Sequence, residues 1–348
     1  MTIVEPVSAR AVTGGVDTHL DVHVAAALDD IGGLLGVESF EASPAGNDKL
    51  LAWLRAFGAV ALVGVEGTGS YGAGLARSLR AADLKVVEVD RPNRQARRRT
   101  GKSDPADAVE AARAALSGRA QGAGKTRDGN VEAIRVLVVA KRSARSTRIA
   151  SLNQIRHLGF TAPDELRDRL RGVSRDHLAG VAAALRPRAG GDPVMTATKT
   201  AIRILGRRVL ALDEELAAID ALVAPLMAAT APSLLGLHGV GIDTAATLLV
   251  AAGDNPGRLR SEAAWAHLCG VAPIQASSGK VTRWRLNRGG DRQANSALWV
   301  IVITRMGSDP RTRAYVERRL KEGRSKPEII RILKRYVARE VFGHLPRT

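Results

Sequence analysis

Asp104 and Asp107 stand three residues apart in the run Lys102-Ser103-Asp104-Pro105-Ala106-Asp107-Ala108. Pro105 reads as the first residue of a helix, since its missing N–H costs nothing there and its φ is already helical. Positions i and i+3 then share a face. Two readings fit: an ordinary capped helix start, or a pair of carboxylates offered together to a cation. Asp17, in the opening segment Gly15-Val16-Asp17-Thr18-His19, and Glu66, closing the apolar run from Ala59 to Val65, are two further acids at strand ends. Carboxylates gathered in a low-dielectric cleft repel one another unless protons or cations neutralise them. Two Mg²⁺ ions about 4 Å apart, or Mn²⁺ in their place, would stabilise the attacking and leaving oxygens of an in-line phosphoryl displacement. Far along the chain, Ala276-Ser277-Ser278-Gly279-Lys280 sets a hydroxyl pair on a Gly-containing turn, followed by Arg283, Trp284, Arg285 and Arg288. That pattern suits phosphate chemistry, and equally a polar loop with a solvated basic face.

The elements that must position these residues are legible in outline. Residues 14–42 read as strands with a turn at Asp29-Asp30-Ile31-Gly32-Gly33, and Ser43 or Pro44 starts a helix running to about Phe57. Ala59 to Val65 has the continuous apolar character of a buried central strand. Gly67-Thr68-Gly69-Ser70-Tyr71-Gly72 turns into a short helix, Lys85 to Val89 forms another strand, and the Asp104/Asp107 helix reaches about Leu116. Strands as a meander, then alternating with helices, predict a mixed α/β sheet layered with helices.

Between Ile202 and Leu226 the apolar positions Ile202, Leu205, Val209, Leu212, Leu216, Ile219, Val223 and Leu226 follow a heptad spacing. With a basic helix from about Val131 to Leu158, this seam fits two arms of a coiled coil or two helices of a globular bundle. The joining segment, 160–198, reads as irregular. Leu237-His238-Gly239-Val240-Gly241 has the pattern of a helix–hairpin–helix, in which Gly239 and Gly241 permit a tight turn whose N–H groups can hold a phosphate. An ordinary interhelical turn fits it too. The segment 310–340 is helical and basic. The domain boundaries implied are 1–125, 126–230 and 231–348.

The chain has 348 residues, with 52 Lys and Arg against 35 Asp and Glu, a formal charge of +17. That excess favours a polyanion, nucleic acid by default. No apolar run approaches the roughly 18–20 residues of a spanning helix, and no secretory core opens the chain, so no membrane partner is expected. The single Cys269 excludes an internal disulfide and a cysteine zinc site and fits a reducing cytosol. His19 and His23 read as packing or surface residues, leaving a hard cation on carboxylate oxygens as the expected metal.

Asp17 in a first strand, Glu66 at a central strand end and Asp104 with Asp107 at a late helix start form the layout of ribonuclease-H-like nucleases and integrases. With Val65-Glu66-Gly67-Thr68-Gly69-Ser70-Tyr71-Gly72, Lys102-Ser103-Asp104-Pro105-Ala106-Asp107-Ala108, the Gly239/Gly241 hairpin and Gly270-Val271-Ala272-Pro273 before Ser278-Gly279, the chain resembles a known family over nearly its whole length. This family is the DEDD transposases and recombinases of bacterial insertion sequences, the insertion sequence 110 family with the Piv-type invertases. Gly67 and Ser103 stand where the family usually has Ala and Thr; both departures leave the acids in place.

The resemblance implies a RuvC-like domain, a coiled-coil linker and a mainly helical C-terminal transposase domain. It implies Asp17, Glu66, Asp104 and Asp107 as catalytic metal ligands. Ser278, ahead of its neighbour Ser277, is the implied serine that attacks a DNA phosphate and becomes covalently joined to the strand. Donor and target DNA, a structured non-coding guide RNA, and a dimer or tetramer of this chain are the implied partners, in a bacterial cytoplasm at the nucleoid. Base pairing would then read sequence, while Arg97, Arg98, Arg99, Lys102, Gly239, Gly241, Lys280, Arg283, Arg285 and Arg288 hold nucleic-acid backbones. A junction-resolvase-type nuclease using water, and a catalytically silent nucleic-acid-binding protein, are the rival readings.

Overall fold

Bare backbone at two glycines sets the architecture around the acids. Strands β1 (Ala11–Thr18), β2 (Val22–Leu28), β3 (Leu34–Glu41), β4 (Ala59–Glu66) and β5 (Val86–Val89) form one sheet in the order β3-β2-β1-β4-β5. The β1–β2 and β2–β3 pairs are antiparallel, whereas β1–β4 and β4–β5 are parallel. Parallel neighbours need crossovers, and α1 (Pro44–Ala56) and α2 (Ala73–Ala81) lie in those connections. Side chains alternate along a strand. On one face Val12, Val16, Val63 and Val65 pack in a core with Leu50 and Leu54 of α1 and Leu75 and Leu79 of α2.

The opposite face presents Gly15 and Gly64, which are register partners on β1 and β4. Helix α3 (Asp104–Leu116) lies across them, with Ala108, Ala111, Ala112 and Ala115 buried. A Cβ at Gly15 would stand 2.1 Å from the Ala112 nitrogen and 2.3 Å from the Ala108 carbonyl oxygen. One at Gly64 would stand 2.7 Å from the Ala111 carbonyl oxygen. Small residues on both sides therefore let helix backbone approach sheet backbone, and the helix start is pinned over the strand ends.

The structure is a computed structural model that describes residues 10–89, 103–120, 122, 124–188, 190–255, 259–277, 279 and 281–346. Arg97, Arg98, Arg99, Lys102, Ser278 and Lys280 lie outside the described residues. The described residues form two compact units, one within 10–129 and 252–264, the other within 130–251 and 265–346. Asp254 joins the first unit by accepting hydrogen bonds from the Thr126 and Asp128 N–H groups at 2.8 and 3.1 Å.

In the second unit, α4 (Gly129–Phe160) and α7 (Pro193–Thr230) are cross-linked by ion pairs from Lys141 to Asp220 and from Arg148 to Asp213. The ascending partners on one helix meet descending ones on the other, so the helices run antiparallel. The heptad positions of α7 are buried or half-buried throughout. The joining segment is not irregular: it contains α5 (Asp164–Leu170) and α6 (Arg175–Ala183). Leu166, Leu178 and Ala182 of these helices share a core with Leu152, Ile155, Ile202 and Val209. Gly206 makes this possible, since a Cβ there would come within 2.6 Å of the Ala183 nitrogen. The short length of both helices hides their periodicity from a window of helical size.

The remaining elements are α8 (Pro232–Leu235), α9 (Ile242–Ala252), α10 (Glu262–Leu268), a hairpin of β6 (Ile274–Gln275) and β7 (Trp284–Arg285), and α11 (Arg292–Ser308), α12 (Pro310–Lys321) and α13 (Lys326–His344). The basic C-terminal segment is thus two helices, α12 and α13, after α11. Among the described residues no helix is long and apolar enough to cross a membrane.

Candidate active site

Asp17 and Glu66 close the two central parallel strands. Register pairs Gly15 with Gly64 and Val16 with Val65, so the next step brings Asp17 alongside Glu66. By alternation both follow the glycines onto the face covered by α3. The Thr18 hydroxyl donates to the Glu66 carbonyl at 2.7 Å, tying the strand ends together. Gly67 then reverses the chain with φ 71°, a conformation that suits glycine, and its carbonyl accepts from the Ser70 N–H at 2.8 Å.

Ser103, not Asp104, caps α3: its side chain accepts from the Ala106 N–H at 3.4 Å and its carbonyl from the Asp107 N–H at 3.0 Å. The helix starts at Asp104, with Pro105 second. The cap is therefore a hydroxyl, not the Asp104 carboxylate. Asp107 is buried, whereas the Asp104 side chain is 46% exposed.

His19 completes the group. Its Nε2 lies 3.2 Å from Asp17 Oδ2 and 3.6 Å from Asp104 Oδ2. One ligand atom each from Asp17, His19 and Asp104 lies within 4.8 Å of the others. The sequence reading of His19 as packing or surface does not anticipate this proximity to the acids. The signal was present, because His19 follows Asp17 by two residues at the end of an extended strand, and i and i+2 point to one side. His23, by contrast, is buried in the sheet.

Burial raises the Asp17 carboxyl above its ordinary 3.8; His19 pulls it down, and Asp107 and Asp104 push it up. Burial beside other carboxylates disfavours the charged form. Carboxylate oxygens with one imidazole fit a divalent cation, and this is the donor chemistry that the site offers.

The serine-bearing turn belongs to the second unit. Ile274 pairs with Arg285 and Gln275 with Trp284. The Ser277 hydroxyl accepts from the Arg283 N–H at 3.2 Å and from Gln275 Nε2 at 3.2 Å, so it holds the turn closed. Arg283, Arg285 and Arg288 are exposed on this hairpin. The Gly239 turn has φ 75° and packs on α11, where Arg305 Nε donates to the His238 carbonyl at 2.8 Å. A Cβ at Gly241 would meet only open space. The helix before this turn, α8, spans only Pro232–Leu235.

Comparison with known proteins adds sequence-wide similarity to this geometry. Residues 14–158 match the family model described as a transposase, of the DEDD type of IS110. Residues 231–317 match the model described as transposase of the IS116/IS110/IS902 family. The chain is 31% identical over 144 residues to the insertion element IS110 uncharacterized 43.6 kDa protein of Streptomyces coelicolor, covering 40% of this chain and 35% of that protein. It is 27% identical over 139 residues to the insertion element IS900 uncharacterized 42 kDa protein of Mycobacterium paratuberculosis, covering 39% of this chain and 35% of that one. The similarity thus spans about a third of the length of these relatives.

Proposed function

The chain belongs to the IS110 family of DEDD transposases, and from that premise we propose that it cuts and rejoins DNA strands through a covalent phosphoserine. The observation that carries the proposal is the gathering of Asp17, His19 and Asp104 within ligand distance, with Asp107 buried beside them. The strand order, with an antiparallel meander on one side and parallel neighbours on the other, supports a RuvC-like, ribonuclease-H-like reading of the first unit.

Asp17, Glu66, Asp104 and Asp107, with His19, would hold Mg²⁺ or Mn²⁺. When bound, such ions neutralise charge that develops on the phosphate and its leaving oxygen. Ser278 Oγ forms the new bond to phosphorus as its proton passes to solvent, and the bond to the 3′ oxygen breaks with its electron pair on that oxygen, which takes up a proton from solvent. Rejoining is the reverse displacement, in which a 3′ hydroxyl expels the serine. Engagement of the Ser277 hydroxyl within the turn supports Ser278 as the nucleophile.

Donor and target DNA are the substrates in this reading, with a structured non-coding RNA as guide. Low aromatic content, 3%, and a net charge of +17 suit a protein that grips backbones and leaves sequence to base pairing. Arg97, Arg98, Arg99 and Lys102, which precede Asp104 in the sequence, serve as a backbone clamp, and Lys280, Arg283, Arg285 and Arg288, which follow Ser278 in the sequence, do the same. Gly239 and Gly241 form a phosphate-holding helix–hairpin–helix. We read 1–125 as the catalytic domain, 126–230 as a coiled-coil linker and 231–348 as the transposase domain, in a dimer or tetramer working in the cytoplasm at the nucleoid.

The test is a labelled DNA substrate with the RNA that copurifies with the protein, in Mg²⁺. Wild type is expected to leave a protein–DNA adduct that survives denaturation, and Ser278→Ala to leave none and to lose cleavage. Cleavage by Ser278→Ala at the wild-type rate, without an adduct, would instead establish water as nucleophile. Recombination unchanged in Asp104→Asn and indifferent to Mg²⁺ would establish a silent binding protein. Sequencing the copurified RNA against the DNA flanking the gene tests the guide.

A further inference from the structure

Within the second unit, the β6–β7 hairpin and α13 enclose a cavity of about 640 Å³. Arg285 and Arg288 line it from the hairpin side, and Arg331, Lys334 and Arg335 from α13; among the described residues no carboxylate lines it. Lys334 donates to the neutral amide of Asn295 at 2.7 Å. Burial, and then the charge of Arg331, push the Lys334 ammonium below its ordinary 10.5. Cations clustered around one cavity attract an anion.

The same cavity is walled by Trp284 and Tyr336, which are 61% and 49% exposed. Tyr336 is braced edge-on by Tyr315 at 6.0 Å. Exposed aromatics beside cations are the elements of a stacking platform for single-stranded nucleic acid. The flanking amides are already committed: Asn287 Nδ2 donates to the His267 carbonyl, its Oδ1 accepts from the Gly289 N–H, and Asn295 Nδ2 donates to the Cys269 carbonyl. Base edges would therefore go unread by these amides, and stacking is tolerant of base identity. The volume falls in the range of small-ligand pockets, and paired bases inside a duplex do not offer their faces to a side chain. A second cavity of about 510 Å³ shares Arg285, Leu286 and Arg288 with the first, room for a neighbouring nucleotide.

We propose that this cavity holds an unpaired nucleotide, its base stacked on Trp284 and Tyr336 and its phosphate on Arg285 and Arg331. The inference rests on the reading of the chain as a nucleic-acid enzyme and narrows it. Trp284 pairs with Gln275, two residues before Ser277, so the pocket marks the serine turn as a place where a strand is unpaired. That strand is either melted DNA at the cut or a single-stranded segment of RNA.

The test uses the full chain in metal-free buffer, with a dT oligonucleotide carrying one 2-aminopurine, the matching RNA oligonucleotide and a blunt duplex. Trp284→Ala is expected to weaken single-strand binding roughly 5- to 150-fold, to abolish quenching of the probe, and to leave duplex binding unchanged. Trp284→Phe restores most of the affinity. Arg331→Gln lowers the salt slope of single-strand binding by about 0.7. The stronger of the DNA and RNA arms identifies the strand. Equal loss on single strand and duplex, or no loss on either, overturns the pocket while leaving the transposase reading intact. No binding to any of the three overturns both.

Discussion

Asp17 in the first unit and Asp243 in the second are both drawn out of water, yet their carboxyls are pushed in opposite directions. Asp243 would be raised by burial, but hydrogen bonds from Lys141 and Arg145, together with their charges, hold it below 3.8. Lys141 bridges Asp243 and Asp220, and Arg145 Nη2 reaches Asp243 Oδ2 at 2.6 Å. Asp17 is raised: burial dominates, His19 pulls the carboxyl down, and Asp107 and Asp104 push it up. One set of acids is neutralised by the fold and serves it. The other gathers Asp17, His19 and Asp104 within ligand distance, with burial holding the Asp17 carboxyl up, a donor set that suits a cation.

The comparison breaks most sharply at Asp17→Asn. Several kcal/mol of charge stabilisation are at stake, so strand cleavage in Mg²⁺ should fall roughly 10³-fold or more. Asp243→Asn should cleave at close to the wild-type rate per folded molecule while lowering the midpoint of thermal unfolding. Equal activity losses in both variants would erase the distinction. Next comes Gly15→Val, whose side chain would collide with α3; it should cost about 1–3 kcal/mol in urea unfolding and abolish cleavage, because the helix bearing Asp104 and Asp107 must move.

Lys141→Met is the milder disruption. It leaves Asp220 and Asp243 facing each other without their shared cation, at a cost of about 1–2 kcal/mol, since both carboxylates are partly exposed and screened. Cleavage by the folded fraction should persist. His19→Ala sharpens the other side: metal affinity, read by calorimetry or by metal-dependent thermal shift, should weaken roughly 10- to 100-fold.

The smallest effect is the pH response, and its sign differs between the two acids. Stability contributed by Asp243, whose carboxyl is depressed, is present above the unfolded value near 3.8 and is lost as pH falls below it. The contribution of Asp17, whose carboxyl is raised, is fully present below 3.8 and is lost as pH rises through its folded value. Unfolding curves in chelator should therefore lose an acid-limb contribution in Asp243→Asn and gain stability near neutrality in Asp17→Asn. Saturating Mg²⁺ should remove the second difference.

Much of the first unit was legible because its signals are local. The apolar run before Glu66, the turn at Asp29 to Gly33 and the helix after Ser103 each declare themselves within a few residues. The short helices α5 and α6 did not, because their burial depends on Leu152, Ile155 and Ile202, residues far off in the chain. The two-residue strands β6 and β7 are too short to show an alternation at all.

The site divides in the same way. The acid identities, their order and their placement at strand ends and a helix start are properties of the sequence by itself. So is the basic, aromatic-poor composition. Tertiary structure alone decided that Ser103 and not Asp104 takes the cap, and that His19 turns toward Asp17 and Asp104. It also decided that Gly15 and Gly64 lie side by side beneath α3. A hydrogen-bond cap depends on one dihedral choice among neighbours, and a cluster depends on the register of distant strands. Neither quantity is written in residue spacing; both are set when small residues let backbones meet.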